Sequence, residues 1–155
     1  MTRYLMVIIQ KFSRVVVLLA LLLVTPWSAA DLQVVDGYVR GLPPGQTVTA
    51  AFMTLSNDGA QAISVISVES DSAALAEIHA HVHSQGMMRM EKVSSITVPA
   101  NGHFILAPGE HHLMLIDLHK PLLPTELVSI TLSLSDGSTQ TLQLPVISVL
   151  NEHHH

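Results

Sequence analysis

Histidine and methionine are the residues of this chain whose number and spacing could support chemistry. The 155 residues include ten His and seven Met but no Cys. Three of the His alternate with apolar residues, at His79, His81 and His83. Residues two apart on a β-strand point to the same face, so these imidazoles would line one face at steps of about 6.5–7 Å.

Two further short clusters add methionine to this pattern. Met88 and Met90 lie two residues apart, as do His112 and Met114, so each pair would share a strand face. Thioether sulfur is a soft ligand that favours Cu(I), whereas imidazole suits both copper and zinc. A His/Met site without thiolates therefore indicates monovalent copper in an oxidising compartment, where cysteines would be prone to oxidation.

Each of these residue types also has an ordinary structural explanation. Methionine fills cores more often than it binds metals, and Met53 lies inside an apolar segment where that role fits. His103 and His119 lie beside predicted turns, so we expect them on the surface. The alternating histidines also fit a plain solvent-facing strand. From the pattern alone, a copper site and a solvated face both remain open.

The elements that must position these residues are short strands. No long segment has the 3.6-residue period of a helix, and the apolar runs are separated by turn residues such as Asn57-Asp58-Gly59. The segments before and after Ser135–Ser138 have the pattern of a β-hairpin. About nine short strands at regular spacing predict a single all-β domain, either a sandwich or a barrel.

The first 30 residues have the layout of a secretory signal peptide. Three basic residues precede or interrupt the apolar segments, and the ten-residue apolar run Val15–Val24 follows. The small residues Ser28 and Ala30 then predict cleavage after Ala30 and a bacterial, periplasmic protein. An uncleaved membrane anchor is the alternative, but ten helical residues cover only about 15 Å of a hydrocarbon core about 30 Å thick.

Charge and composition exclude several classes of protein. Three of the seven basic residues and none of the twelve acidic ones lie in the predicted signal, so the formal charge of -5 becomes -8 in the mature chain. Such an acidic chain is a poor candidate for binding nucleic acid. The lack of Cys excludes a disulfide scaffold, a Cys nucleophile and a blue-copper electron-transfer site, which needs a thiolate.

The spacing of the His and Met residues resembles the signature of the periplasmic copper chaperone family PCu(A)C. Ten residues separate His79 from Met90, 21 separate Met90 from His112, and His112 and Met114 form a His-x-Met motif. The resemblance extends over essentially the whole mature domain. Its supporting segments are Ala51–Asn57, Glu77-Ile78-His79, Gly86–Met90 and Pro108–Leu115.

This resemblance implies a fold, a metal and a function. The fold would be a cupredoxin-like Greek-key β-sandwich formed by residues 31–150. One Cu(I) ion would be bound by His79, Met90, His112 and Met114. The family role would be that of a metallochaperone rather than an enzyme. It would supply copper to the CuA centre of cytochrome c oxidase, with the oxidase subunit or a Sco-type protein as partner, and the mature form would have no membrane span.

The sequence departs from the family pattern in two places. The optional Met after the first ligand is absent, and extra candidate ligands surround the motif instead: His81, His83, His111 and Met88. The added imidazoles could form a secondary set that accepts Cu(II) or Zn(II). In place of the family's longer His/Met-rich extension, the sequence has the short tail 151–155. Its three His could be a short metal-binding segment or an artefact of expression.

Two other functions remain open at this point. A periplasmic protein that buffers copper or zinc, without a dedicated acceptor, would use the same ligands. An enzyme is the second alternative, but the sequence contains no nucleophile motif such as G-x-S-x-G. The residues therefore favour a metal-binding protein over a hydrolase.

Overall fold

The computed structural model describes residues 32–43, 45–84 and 87–148, with the backbone alone at residues 83 and 84. The predicted signal peptide and the tail 151–155 lie outside the described residues. The sequence predicts about nine strands, and the described part contains ten and no helix. They are β1 (Leu32–Gly41), β2 (Val48–Asn57), β3 (Ile63–Ser70), β4 (Ala73–Ser84), β5 (Met87–Lys92), β6 (Ile96–Val98), β7 (Gly102–Leu106), β8 (His112–Leu118), β9 (Leu127–Leu134) and β10 (Thr139–Ser148).

The strands form one open hydrogen-bonded path in the order β5-β4-β8-β2-β1-β10-β9-β3-β6, and β7 pairs with β2 beside β8. Every pairing is antiparallel except the one between β1 and β10. That parallel pair joins a half containing β4, β5 and β8 to a half containing β3, β6 and β9. The described residues contain no helix that is long and apolar enough to cross a membrane.

Both halves contribute side chains to a single hydrophobic core. Leu113 and Leu115 of β8 are buried in the same cluster as Ile130 and Leu132 of β9. Along β9, buried and partly exposed residues alternate, as expected for a strand with one face on the core. A core shared by two sheet halves confirms the predicted all-β sandwich class, and Met53 is a core residue, as its apolar surroundings predict.

The turns follow the sequence predictions. Strands β9 and β10 form the expected hairpin, in which Gly137 adopts a φ of 85° that side chains other than glycine rarely accept. The other predicted turn is fixed by the fully buried Asn57. Its amide donates to the carbonyl oxygens of Gln61 (2.8 Å) and Pro99 (3.1 Å), and its side-chain oxygen accepts from the Gly59 amide (2.9 Å).

Alternation along β4 decides which side chains reach the outer face of the sheet. Ile78 and Ala80 are each 4% exposed and point into the core. His79 and His81 therefore point to the opposite face. Strand β5 lies at the edge of the sheet beside β4, and all six of its residues are exposed. This edge carries the predicted ligands.

Candidate metal centre

Strand register brings the predicted ligands together on the outer face of three adjacent strands. His79 of β4 lies opposite His112 of β8, and His81 lies opposite Met90 of β5. Met114 lies opposite Glu77, two residues before His79. Residues directly opposite each other in an antiparallel pair share a face. The sheet thus gathers residues that are far apart in sequence.

The imidazoles approach each other in two pairs that share His112. The ring centre of His112 is 6.1 Å from that of His79 and 5.4 Å from that of His81. A cavity of about 300 Å³ opens at this face and is lined by His81, Met90, His112 and Met114. His79 lies beside this cavity rather than in its lining. Within the described residues, no group of three or more His, Asp or Glu side chains is arranged to hold a metal ion.

His112 is the most buried of these imidazoles. It is 4% exposed, and its Nδ1 lies 3.0 Å from the carbonyl oxygen of Glu110. A carbonyl can only accept a hydrogen bond, so Nδ1 carries the proton and Nε2 keeps a free lone pair. Burial lowers the pKa of His112 below its ordinary value of 6.5, which favours the neutral ring that can bind a metal.

His79 is oriented by a carboxylate. Its Nε2 lies 2.8 Å from Oε2 of Glu77, and the other carboxylate oxygen of Glu77 accepts from Nζ of Lys92 at 2.6 Å. The hydrogen bond from Lys92 lowers the pKa of Glu77, so this acceptor stays ionised. Nε2 of His79 is thus the protonated nitrogen and Nδ1 is the bare one. A histidine held by a carboxylate in this way is a common arrangement at metal sites.

Two imidazole nitrogens in this cluster are buried without a hydrogen-bond partner. They are Nδ1 of His79 and Nδ1 of His81, and no other buried side-chain nitrogen or oxygen of the described residues lacks a partner. A buried polar atom left unpaired costs about 1–3 kcal/mol. Both atoms belong to the predicted site. The residues present therefore fit a metal ion, which would accept these lone pairs.

The two thioethers differ in their exposure. Met90, on the edge strand β5, is 49% exposed. Met114 is half-buried on β8, opposite Ala50 of β2. One thioether thus faces solvent while the other lies deeper in the sheet, which leaves the cavity accessible from the side of β5.

One aromatic and one cationic side chain, Phe52 and Arg40, also line the cavity. The Phe52 ring is 6.2 Å from that of His112, and the Arg40 guanidinium lies 5.0 Å from the Phe52 ring centre. The Tyr38 ring centre lies 5.4 Å from that of Phe52. Arg40 was not identified from the sequence, because nothing in the spacing of β1 marks it. Phe52 lies in the segment Ala51–Asn57 that supports the family resemblance, and that segment is the signal that could have identified it.

The remaining candidate residues are placed differently. The His111 ring packs edge-on against Phe104 at 5.1 Å and does not line the cavity. Met88 is 57% exposed and lies opposite His83, whose side chain is outside the description. Of the three extra candidates whose side chains are described, the structure brings His81 alone into the cavity lining. His103 and His119 are exposed, as the sequence predicts.

The fold and the site together define a β-sandwich of the PCuAC type, with His and Met side chains on one sheet face. The chain resembles the solved apo PCuAC domain from PmoF1, with a TM-score of 0.65, 17% identity and coverage of 79% of this chain and 98% of that one. It also resembles the solution structure of CuI-DR1885 from Deinococcus radiodurans, with a TM-score of 0.61, 34% identity and coverage of 78% and 82%.

The sequence matches a family model described as "Putative lipoprotein LpqE-like" over residues 32–146, and the chain belongs to this family. A curated relative, "Putative lipoprotein Lxx21020" from Leifsonia xyli subsp. xyli (strain CTCB07), is 35% identical over 134 residues, which cover 84% of this chain and 80% of that protein. The predicted resemblance to the copper chaperone family is thus confirmed for the fold.

Proposed function

We propose that this protein is an exported chaperone that carries Cu(I). The observation that supports it most directly is the pair of buried, unpartnered imidazole nitrogens beside two thioethers on one sheet face. Soft sulfur ligands combined with imidazoles suit Cu(I) better than Zn(II), Mg(II) or Ca(II). The relative DR1885 was solved with CuI, and its 34% identity to this chain supports the same cargo here.

The proposed ligands of the ion are Nδ1 of His79, Nε2 of His112 and the sulfur atoms of Met90 and Met114. Glu77 and the Glu110 carbonyl hold the two imidazoles through their other nitrogens. Copper is the cargo of this site, and no bond to substrate is made or broken. We therefore propose a carrier rather than an enzyme.

Delivery would proceed by ligand exchange at the exposed side of the site. Met90 is about half-exposed on an edge strand, so an acceptor ligand could approach the ion there without unfolding the sheet. The proposed acceptor is the cytochrome c oxidase subunit that carries CuA, or a Sco-type protein. A charge of -8 on the mature chain would steer docking onto a basic acceptor surface.

The proposed location is the periplasm, after cleavage of the signal peptide following Ala30. The family and the curated relative are described as putative lipoproteins, which supports export. We propose that cleavage at this position releases the mature protein.

Cu(I) titration against a competing chelator tests the cargo and the ligands. The variants are His79→Phe, Met90→Leu, His112→Phe and Met114→Leu, and we expect each to weaken Cu(I) binding, His112→Phe most strongly. His111→Phe is the matched control, since that ring lies against Phe104 outside the cavity. Equal Cu(I) affinity in the wild type and all four variants would rule out this site.

A second measurement separates a chaperone from a copper or zinc buffer without an acceptor. Deletion of the gene should lower cytochrome c oxidase activity in cells grown at low copper, and added copper should restore it. Normal oxidase activity in the deletion strain at low copper would favour the buffering function. The same strain carrying His112→Phe should behave like the deletion.

A further inference from the structure

His81 lines the same cavity as Met90, His112 and Met114, although the family spacing assigns the first imidazole to His79. Its position follows from the register, which places His81 directly opposite Met90, whereas His79 lies opposite Lys92. The His81 ring is also nearer to His112 than the His79 ring is, at 5.4 Å against 6.1 Å. The imidazoles of His79 and His81 therefore both lie next to His112.

The distances between ring centres allow one metal ion to be bound by both imidazoles of either pair. Metal–imidazole bonds of about 2.0–2.1 Å place two rings bound to one ion with their centres roughly 5–6 Å apart. The His81–His112 distance of 5.4 Å falls in this range, and the His79–His112 distance of 6.1 Å lies just above it. His112 belongs to both pairs, whereas His79 and His81 lie two residues apart along β4, a step of about 6.5–7 Å.

The buried nitrogen of His81 needs a partner of its own. Nδ1 of His81 is unpaired in the same way as Nδ1 of His79, and a metal bound by His79 alone would leave it so. Buried polar atoms nearly always have a hydrogen-bond or metal partner. His111 has no such buried nitrogen without a partner.

We infer that His81 is a Cu(I) ligand that alternates with His79. With His112, Met90 and Met114 it completes a second two-His, two-Met set in the cavity that these four residues line. His112 stays bound in both sets while the ion exchanges between Nδ1 of His79 and Nδ1 of His81. This inference rests on the proposed function, because it concerns the same cargo.

A double-mutant cycle tests the alternation. If the two imidazoles substitute for each other with comparable affinity, removing one leaves the other to bind the ion, so His79→Phe and His81→Phe should each lower Cu(I) affinity only about twofold. The double variant should lose as much Cu(I) affinity as His112→Phe, which is more than the product of the two single effects. Groups that substitute for each other give this non-additive result. His111→Phe is again the control.

Three results would overturn the alternation while leaving the proposed function intact. They are wild-type Cu(I) affinity in His81→Phe, loss of binding in His79→Phe as complete as in His112→Phe, and purely multiplicative single effects. A wild-type protein that does not bind Cu(I) would instead remove the proposed function itself. The two failures are therefore distinguishable.

NMR of the wild-type protein gives a readout that does not depend on whether the variants fold. Cu(I) is diamagnetic, so the ring nitrogens of each histidine can be followed during a titration with the metal alone. We expect large shifts at Nδ1 of His81, Nδ1 of His79 and Nε2 of His112, and none at His111. Shifts at His79 and His112 with an unchanged His81 would also overturn the inference.

Discussion

His79 and His112 carry the proton on different ring nitrogens, and one neighbouring oxygen sets the protonated nitrogen of each ring. Glu77 accepts from Nε2 of His79, and the Glu110 carbonyl accepts from Nδ1 of His112. Each contact leaves the opposite nitrogen bare for a metal. The chemistry of the site thus depends on outer contacts as much as on the ligands.

Replacing the carboxylate of Glu77 tests this orientation. In Glu77→Gln the neutral amide holds His79 less firmly, and we expect Cu(I) affinity to fall by up to about twofold, the limit set by His81 as the alternative ligand. NMR should also show a smaller fraction of the His79 tautomer protonated at Nε2. Glu126→Gln is the matched control, since Glu126 pairs with Lys120 away from the site. Equal affinities in the two variants would contradict the role of Glu77.

The buried ring of His112 predicts a pH dependence of stability. Its pKa is lowered in the folded protein, so below pH 6.5 the unfolded chain binds more protons than the folded one. The contribution of His112 to folding stability is therefore present above pH 6.5. It is lost as the pH falls through the lowered pKa of the folded state. We expect urea unfolding to show a larger loss of stability between about pH 7 and pH 5 in the wild type than in His112→Phe.

An NMR titration checks the same point directly. The His112 ring should titrate with a midpoint below 6.5, the ordinary value for histidine. A midpoint at or above that value would contradict the effect of burial. Because a neutral ring is needed for ligation, proton competition with copper at His112 should begin at correspondingly lower pH.

At the scale of elements, β4, β5 and β8 position the site and the turns around Asn57 hold the sandwich. The side chains that face outwards on β4 and β8 follow from a period of two, which the sequence shows directly. The pairing of His79 with His112 and of His81 with Met90 depends on register between strands. Register reflects which faces are buried across the whole sheet, so local sequence does not fix it.

Asn57 provides a prediction at this scale. In Asn57→Ala, the carbonyl oxygens of Gln61 and Pro99 and the amide of Gly59 lose their buried partner. We expect a decrease of about 1–3 kcal/mol in the free energy of unfolding, measured by urea denaturation. Asp58→Ala is the neighbouring control, because its hydrogen bond to Gln33 is exposed. An equal effect of both substitutions would contradict the importance of the buried amide.

At the scale of the whole molecule, a single core joins the half of the sheet that carries the site to the other half. Leu113 and Leu115 lie behind the site, on the inner face of β8, in the same cluster as Leu132 of β9. The position of His112 is therefore supported by packing across the sandwich. Loss of that packing should be felt at the metal centre.

Leu132→Ala tests this support. Leu132 is 1% exposed, and truncating a buried leucine costs about 2–5 kcal/mol because a cavity remains. We expect urea unfolding to show this loss, with far-UV circular dichroism and the His112 NMR signal changing in one transition. Leu127→Ala on the same strand is the control, since Leu127 is 60% exposed. Similar stabilities of the two variants would contradict a shared core.

The sequence alone determined the strand class, the turns, the acidic charge, the preference for soft ligands and the spacing of His79, Met90, His112 and Met114. These properties depend on residue types and on periods of a few residues, so no long-range contact is needed to predict them. Tertiary structure decided that His81 enters the cavity, that His111 does not, and which nitrogens are left bare. Those outcomes depend on register, burial and hydrogen bonds between segments as much as 37 residues apart, as for Glu77 and Met114, and only the packed sheet brings such segments together.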